Sequence, residues 1–357
     1  MVAGAGAPAI PVLDLGLGTR AERARALHAA AAGLGFFYVT GHGVPQEAVD
    51  AAFAALKRFF AAPPAVKAAL QAAPGQPPLG YSAFNSIKLD PQGQSVGDTR
   101  EQFKVAGRAF ALDYGDAAAG GGAGPLPAGA DPEAFYWPAE AAAPGLKAAL
   151  SRYFLLVKAL GDELLQLVEA ALGLPPGTFG APGTFDRAMH IMSSIHYDAT
   201  PSDVRRGVLG CGSHTDYGAM TLLMTDEVPG LQVCADKARP AGERVWLDVE
   251  PRRGHFVVNL GEMLERWSNG LYNANLHRVV NAAGRERFSV AFFFEPNLAC
   301  PIAPFPACCQ GGAAPAYEPT TYGDFLKWKY AVTGETKEAV AYSAFNEGEA
   351  GKEALYS

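Results

Sequence analysis

Apolar residues along this chain recur at two spacings, and the spacing changes near its middle. In the first half they fall every three or four positions. Val49, Phe53, Leu56, Phe59 and Phe60 do so between Gln46 and Phe60. Leu146, Leu150, Phe154, Val157, Leu160, Leu164, Leu167 and Val168 do so between Pro144 and Leu172. That period gathers apolar side chains on one face of an α-helix. Pro63-Pro64 ends the first helix and Pro175-Pro176-Gly177 the second, because proline cannot continue the ladder. A further helix is expected from Thr19, whose hydroxyl can cap a first turn, to about Ala32, with Gly33 as its stop. Its large apolar positions are few, Leu27 within it and Leu34 just beyond. Ile10 to Leu15 reads as a short edge strand, and Gly35 to Thr40 as a second short strand.

From about Ala188 the pattern becomes one of short β-branched and aromatic runs divided by turns. Met189 to Tyr197, Ala219 to Met224, Val233, Val245 to Leu247, Phe256 to Val258, Val279-Val280 and Val290 to Phe294 are such runs. Many short strands at this spacing predict a jelly roll. The fold expected is mainly β with flanking α: a double-stranded β-helix core, a helical N-terminal region and a C-terminal helix from Tyr322 to Trp328 packing back on it. Ala117 to Ala130 is rich in Gly, Ala and Pro and reads as a surface insertion.

The 357 residues are enough for a sizeable core. A net charge of −7 offers no basic field for nucleic acid or an anionic membrane. The five cysteines lack metal-finger spacing, and adjacent Cys308 and Cys309 read as incidental in a reducing compartment. Met1 to Pro8 has no basic segment followed by an apolar one, and no run of about 18 apolar residues suggests a membrane span. A cytoplasmic protein is the expectation.

The chemistry sits between Gly212 and Asn297. His214 and Asp216 stand two apart in Gly212-Ser213-His214-Thr215-Asp216, and on a strand that spacing points both side chains to one face. His277 comes much later, before Arg278-Val279-Val280, so a sheet must fold back to bring it alongside. Two neutral imidazoles and a carboxylate on one side of a metal leave its other positions open, the facial triad of non-haem Fe(II) oxygenases. Arg287-x-Ser289 opens an apolar strand with guanidinium and hydroxyl on one face, a pair suited to gripping a carboxylate. Other histidines fit this scheme poorly. His28 and His42 read as structural, His255 lies in a turn, and His190 and His196 have the parity opposite to Tyr197.

These motifs resemble the 2-oxoglutarate/Fe(II)-dependent dioxygenases of the isopenicillin N synthase-like family, over nearly the whole chain. Ile10 to Leu15, Gly35 to Pro45, Gly230 to Val233, Val257 to Glu262 and Trp267 to Gly270 resemble further segments of that family. The resemblance implies that His214, Asp216 and His277 ligate iron, and that Arg287 and Ser289 hold the distal carboxylate of 2-oxoglutarate, with Tyr197 as a further carboxylate contact. Departures from the family pattern are Ile195, Asp198, Gly41 and Glu262, where Asn, Pro, Asn and Asp are commoner. None touches the triad.

The resemblance divides the chain into an N-terminal region (8–118), an insertion with the long packing helix (119–187), the catalytic jelly roll (188–299) and a C-terminal extension (300–357). It implies hydroxylation of a small organic molecule with Fe(II), 2-oxoglutarate and O2, ascorbate as an optional reductant, and release of succinate and CO2. The expected protein is a monomer without nucleic-acid or membrane partners. Gly80 to Ser82 and Gly97 to Phe103 resemble segments over the mouth of the site, which makes Tyr81 and Phe103 candidate substrate contacts. Ile195, Phe292 and Phe294, with Met224, are candidates for the pocket wall, and such aromatics favour an apolar or planar substrate. An oxidase of the same fold that does not use 2-oxoglutarate, and a metal-binding jelly roll without turnover, are the alternative readings.

Overall fold

Thr19 caps the first helix as its sequence requires. Its hydroxyl accepts the Glu22 N–H at 3.3 Å, and the Glu22 carboxylate accepts the Thr19 N–H at 2.7 Å, a reciprocal pair that satisfies two otherwise orphaned donors. The computed structural model describes residues 9–71, 79–106, 137–186, 188, 190–309 and 314–333. Met1 to Pro8 and the insertion expected from Ala117 to Ala130 lie outside the described residues.

The elements run β1 (Val12–Asp14), α1 (Arg20–Ala32), β2 (Phe36–Thr40), α2 (Gln46–Phe60), α3 (Pro64–Ala68), β3 (Gly80–Ser82), β4 (Arg100–Ala106) and α4 (Leu146–Ala171). The β-rich half follows with β5 (Ile191–Tyr197), β6 (Cys211–His214), β7 (Met220–Thr225), β8 (Leu231–Cys234), β9 (Trp246–Asp248) and β10 (Phe256–Leu260). Then come α5 (Glu262–Trp267), β11 (His277–Val279), β12 (Arg287–Phe294), β13 (Pro301–Ile302), β14 (Thr320–Thr321) and α6 (Tyr322–Thr333). An eight-stranded sheet has the order β1-β2-β10-β7-β12-β5-β4-β3, and a four-stranded sheet the order β6-β11-β8-β9. The chain passes back and forth between the two, the double-stranded β-helix that the strand pattern predicts.

The two faces of the large sheet have different partners, and this decides where every side chain can act. One face is covered by helices: Phe154 of α4 packs on Phe292 at 4.8 Å between ring centroids, and Phe59 of α2 packs on Phe103 at 4.9 Å. Gly161 permits the approach of α4, because a Cβ there would lie 2.2 Å from the Phe294 ring. The other face looks toward the small sheet. Phe36, Tyr38, Ile195, Tyr197, Val257 and Ala291 form one buried cluster with Cys211, Leu231, Val233 and Val279.

Register fixes which residues share that inner face. Arg287 stands opposite Tyr197, Ser289 opposite Ile195 and Ala291 opposite Ser193. Beyond β5, Arg100, Gln102 and Lys104 take the corresponding places opposite Tyr197, Ile195 and Ser193. Side chains alternate along a strand, so Phe292 and Phe294 belong to the helix-covered face, as does Met224 opposite Val290. Phe103 and Tyr81, paired with each other across β3 and β4, face the same way. These five expected substrate contacts are therefore corrected to core packing. Ile195 keeps its inner position.

Candidate metal centre

His214 ends β6, and His277 begins β11 as its direct cross-strand partner. Their rings lie 4.2 Å apart between centroids, and Phe36 meets the His277 ring edge-on at 5.4 Å. Asp216 is not on a strand, since β6 stops at His214. What aims Asp216 is the docking of its loop onto the start of α5. The carbonyls of Asp216, Gly218 and Ala219 accept the N–H groups of Glu262, Met263 and Gly261 at 2.9, 3.1 and 2.8 Å. The fit demands glycine at 261, where a Cβ would lie 2.2 Å from the Gly218 carbonyl oxygen. Glu262 also accepts the Thr215 hydroxyl at 2.6 Å and the Lys329 ammonium of α6, so the C-terminal helix braces the same loop.

One oxygen of Asp216 is occupied and the other is aimed. Oδ2 accepts from Thr221 Oγ1 at 2.5 Å and Asn259 Nδ2 at 2.7 Å. Oδ1 lies 3.6 Å from Nε2 of His214 and 3.6 Å from Nε2 of His277. Each imidazole gives its Nδ1–H to a backbone carbonyl, His214 to Gly212 at 2.9 Å and His277 to Asn275 at 3.3 Å. That contact leaves the Nε2 lone pair free for a metal. One donor atom from each of the three residues lies within 4.8 Å of the others. Burial, then the neighbouring His277, pulls His214 well below the usual imidazole range and keeps it neutral. Burial pushes Asp216 up, but His277, His214 and the donors Asn259 and Thr221 outweigh it and leave the carboxyl below its usual range.

Arg287 lies at the far end of the inner face, 1% exposed. Its Nε donates to the Val228 carbonyl at 3.2 Å, its Nη1 to Ser289 Oγ at 3.3 Å, and the guanidinium lies 5.0 Å from the centre of the Tyr197 ring. Among the described residues no carboxylate lies within 4.0 Å of it. A buried cation without a counter-ion is costly unless a ligand supplies one.

Nearer the triad the inner face is polar in ways the sequence reading missed. Arg100 Nε donates to Asp98 Oδ2 at 3.0 Å, and Asp98 Oδ1 accepts the Gly212 N–H at 3.0 Å. Gly97 to Phe103 is thus part sheet and part strut beneath β6. Glu295, just past β12, is 8% exposed, and its Oε2 has no hydrogen-bond partner. Burial and the Asp216 carboxylate push its carboxyl up to about 8, against an opposing pull from Lys104. Asn259 stands within a β-branched run, the one legible sign that it serves something other than packing.

The remaining candidates are engaged elsewhere. Tyr81 donates to Glu101 at 2.6 Å, in a buried cluster on the helix-covered face that also holds Lys67 and His196. His190, on the same face, accepts the Glu295 N–H at 3.2 Å. His28 meets Tyr272, His42 the Gly254 carbonyl and His255 the Arg253 carbonyl. The five cysteines are unpaired. Among the described residues no helix is long and apolar enough to cross a membrane.

Comparison with known proteins agrees with this geometry. The model of the 2OG-Fe(II) oxygenase superfamily matches residues 188–296, and that of the N-terminal region of non-haem dioxygenases in morphine synthesis matches residues 10–113. A 2-oxoglutarate-Fe(II) type oxidoreductase of Emericella nidulans is 34% identical over 303 residues, covering 83% of this chain and 80% of its own. A homoarginine-6-hydroxylase of Oryza sativa subsp. japonica is 32% identical over 302 residues, covering 83% and 84%. The crystal structure of a full-length Neurospora crassa protein in complex with alpha-KG superposes with a TM-score of 0.74 at 25% identity, covering 93% of this chain and 98% of that one.

Proposed function

This chain belongs to the 2-oxoglutarate/Fe(II) oxygenase superfamily, and on that premise we propose the part each of its residues plays. The protein is an oxidoreductase that uses Fe(II), 2-oxoglutarate and O2 to oxidise a small molecule. His214 and His277 through Nε2, and Asp216 through Oδ1, hold the iron. The donor set fits: two neutral imidazoles and one carboxylate occupy one side and leave the rest of the coordination sphere for co-substrate and oxygen. Arg287 and Ser289 hold the far carboxylate of 2-oxoglutarate, with Tyr197 beside them. The observation that carries this assignment is the buried guanidinium, which has no carboxylate within 4.0 Å among the described residues and lies on the inner face of the large sheet.

The bound iron supplies the oxidising chemistry, with 2-oxoglutarate leaving as succinate and CO2. The chain's own residues orient and shield. Thr221 and Asn259 hold Oδ2 of Asp216 so that Oδ1 faces the metal, and the Gly212 and Asn275 carbonyls fix both imidazole tautomers. The apolar cluster between the sheets excludes water, which strengthens the Arg287 contact. Hydroxylation is the proposed outcome. A monomer and a cytoplasmic location complete the reading, together with the absence of a nucleic-acid partner, which the net charge of −7 supports.

The test is turnover by protein reconstituted anaerobically with Fe(II) and then given oxygen. Succinate release, 2-oxoglutarate consumption and oxygen uptake should track the iron added and disappear in His214→Ala. Succinate that persists undiminished in that variant overturns the ligand assignment.

A further inference from the structure

Among the described residues two buried side chains, Glu295 and Gln102, each carry one polar atom without a partner, and half-buried Lys104 projects from the same face of the large sheet as Gln102. The Glu295 carboxyl packs against the metal loop, since a Cβ on Gly218 would lie 3.1 Å from both its Cδ and its Oε1. It is 8% exposed, and its Oε2 is without a partner. Lys104 projects from β4 on the same face, in the row of Ser193 and Ala291. Among the described residues its ammonium has no carboxylate within 4.0 Å, Glu295 included. One row along, Gln102 is 2% exposed; Ser193 donates to its Oε1 at 3.3 Å, while its Nε2 has no acceptor. Among the described residues the inner face thus offers an ammonium and an amide N–H without acceptors, and beside the metal loop a carboxyl oxygen without a partner.

Buried polar groups in folded proteins are almost always paired, and groups left over mark places where a ligand completes the set. The other cations of this face are already assigned: Arg100 pairs with Asp98, and Arg287 is given to 2-oxoglutarate. Phe292, Phe294 and Met224 face the helices and do not line this part of the inner face. Phe293 and Ile191, half-buried on the inner face, remain to pack a carbon skeleton.

We propose that the molecule oxidised here is a small zwitterion of amino-acid type, its carboxylate held by Lys104 and Gln102 Nε2 and its amine by Glu295. A neutral apolar substrate would leave all three groups unpaired. A zwitterion satisfies each of them and lays its carbon chain between Phe293 and the metal. This inference rests on the iron and 2-oxoglutarate roles given above.

Two measurements separate its failure from theirs. The first is anaerobic calorimetry on the full chain loaded with Fe(II) and 2-oxoglutarate, titrated with L-lysine, L-arginine, L-proline and L-phenylalanine. The corresponding amines and N-acetyl acids serve as counterparts that lack one charge. At least one free amino acid should bind, and loss of either charge should weaken that binding tenfold or more. The second is succinate release stimulated by the same compounds. Lys104→Met and Glu295→Gln should each raise the amino acid's KM and dissociation constant at least tenfold. They should do so more than they lower kcat or raise the KM for 2-oxoglutarate, and Lys104→Arg should restore much of the loss. Binding without succinate would count against the oxygenase assignment and support this one. Failure of every zwitterion to bind, equal binding by the N-acetyl acids, or an unchanged dissociation constant in both variants would overturn the proposal.

Discussion

Replacing Arg287 with methionine tests the co-substrate clamp at its centre. Methionine keeps most of the buried stem and removes the charge and the donors to Val228 and Ser289. Removing one partner of a buried charge pair costs about 2–5 kcal/mol, much of it from leaving the other charge unpaired. At about 1.4 kcal/mol per decade, 2-oxoglutarate should bind roughly 30-fold to a few thousand-fold more weakly. A thermal shift reads this without turnover. At a 2-oxoglutarate concentration about 100 times the wild-type dissociation constant, binding contributes about 2.7 kcal/mol to stability. With an unfolding entropy of about 2.1 cal/mol/K per residue over 357 residues, that is a rise of roughly 3–4 °C in Tm. The variant at the same concentration should rise by about 1 °C or less by the same relation. Its Tm without 2-oxoglutarate should hold, because among the described residues the wild-type cation has no carboxylate within 4.0 Å, and its iron content should match wild type. A wild-type-sized rise in the variant would refute the assignment, and so would loss of iron together with 2-oxoglutarate.

Asn259→Ala removes the 2.7 Å donor to Asp216 Oδ2. Competitive Fe(II) titration should show affinity lower by about 10–100-fold, the usual cost of losing a partner behind a metal ligand, and an unchanged affinity would show that Thr221 alone suffices. Gly161→Ala drives a methyl into the Phe294 ring, 2.2 Å from the new Cβ. The urea midpoint should fall by the equivalent of about 1–3 kcal/mol, and a midpoint equal to wild type would mean that α4 does not seat on β12 as described. His190 is held to about 3 by burial, with Lys158 adding to the effect. Below the ordinary imidazole range the unfolded chain takes up a proton that the folded chain refuses. Stability is therefore complete above about pH 6.5 and falls toward pH 3, by at most about 1.4 kcal/mol per pH unit from this group. His190→Asn keeps an acceptor for the Glu295 N–H, and acid denaturation monitored by circular dichroism should show a flatter decline; an identical slope would refute the burial of an uncharged ring.

The helices were legible because their signals are local. Thr19 with Glu22 three residues on, the apolar stripe from Gln46 to Phe60 and the prolines beyond it act within a turn or two, and the structure bounds α1 and α2 at those residues. The double-stranded β-helix followed from the count and spacing of short runs. His214, Asp216 and His277 do converge, although not by the route expected: period-two spacing cannot aim Asp216 once the strand has stopped, and the loop's hydrogen bonds to the start of α5 do so instead.

Parity shows most clearly where local reading ends. The alternation that placed Arg287 with Ser289 and set His190 and His196 against Tyr197 also assigns Phe292 and Phe294 to the opposite face, yet their aromatic character had suggested a pocket wall. For β4 alternation alone was not enough, because which of its faces looks inward depends on pairing with β5. A one-residue shift of that register would exchange Lys104 for Phe103.

The sequence by itself determined the elements, the strand-rich core and the residue types of the candidate site, since propensity, capping and periodicity operate over a few residues. Only the tertiary structure decided which face of each strand meets the small sheet, which donors stand behind Asp216, and that Lys104 and Gln102 share the inner face while Glu295 packs on the metal loop. Those facts arise from pairings between strands far apart in the chain, where register is set by packing two layers against each other and not by any local preference.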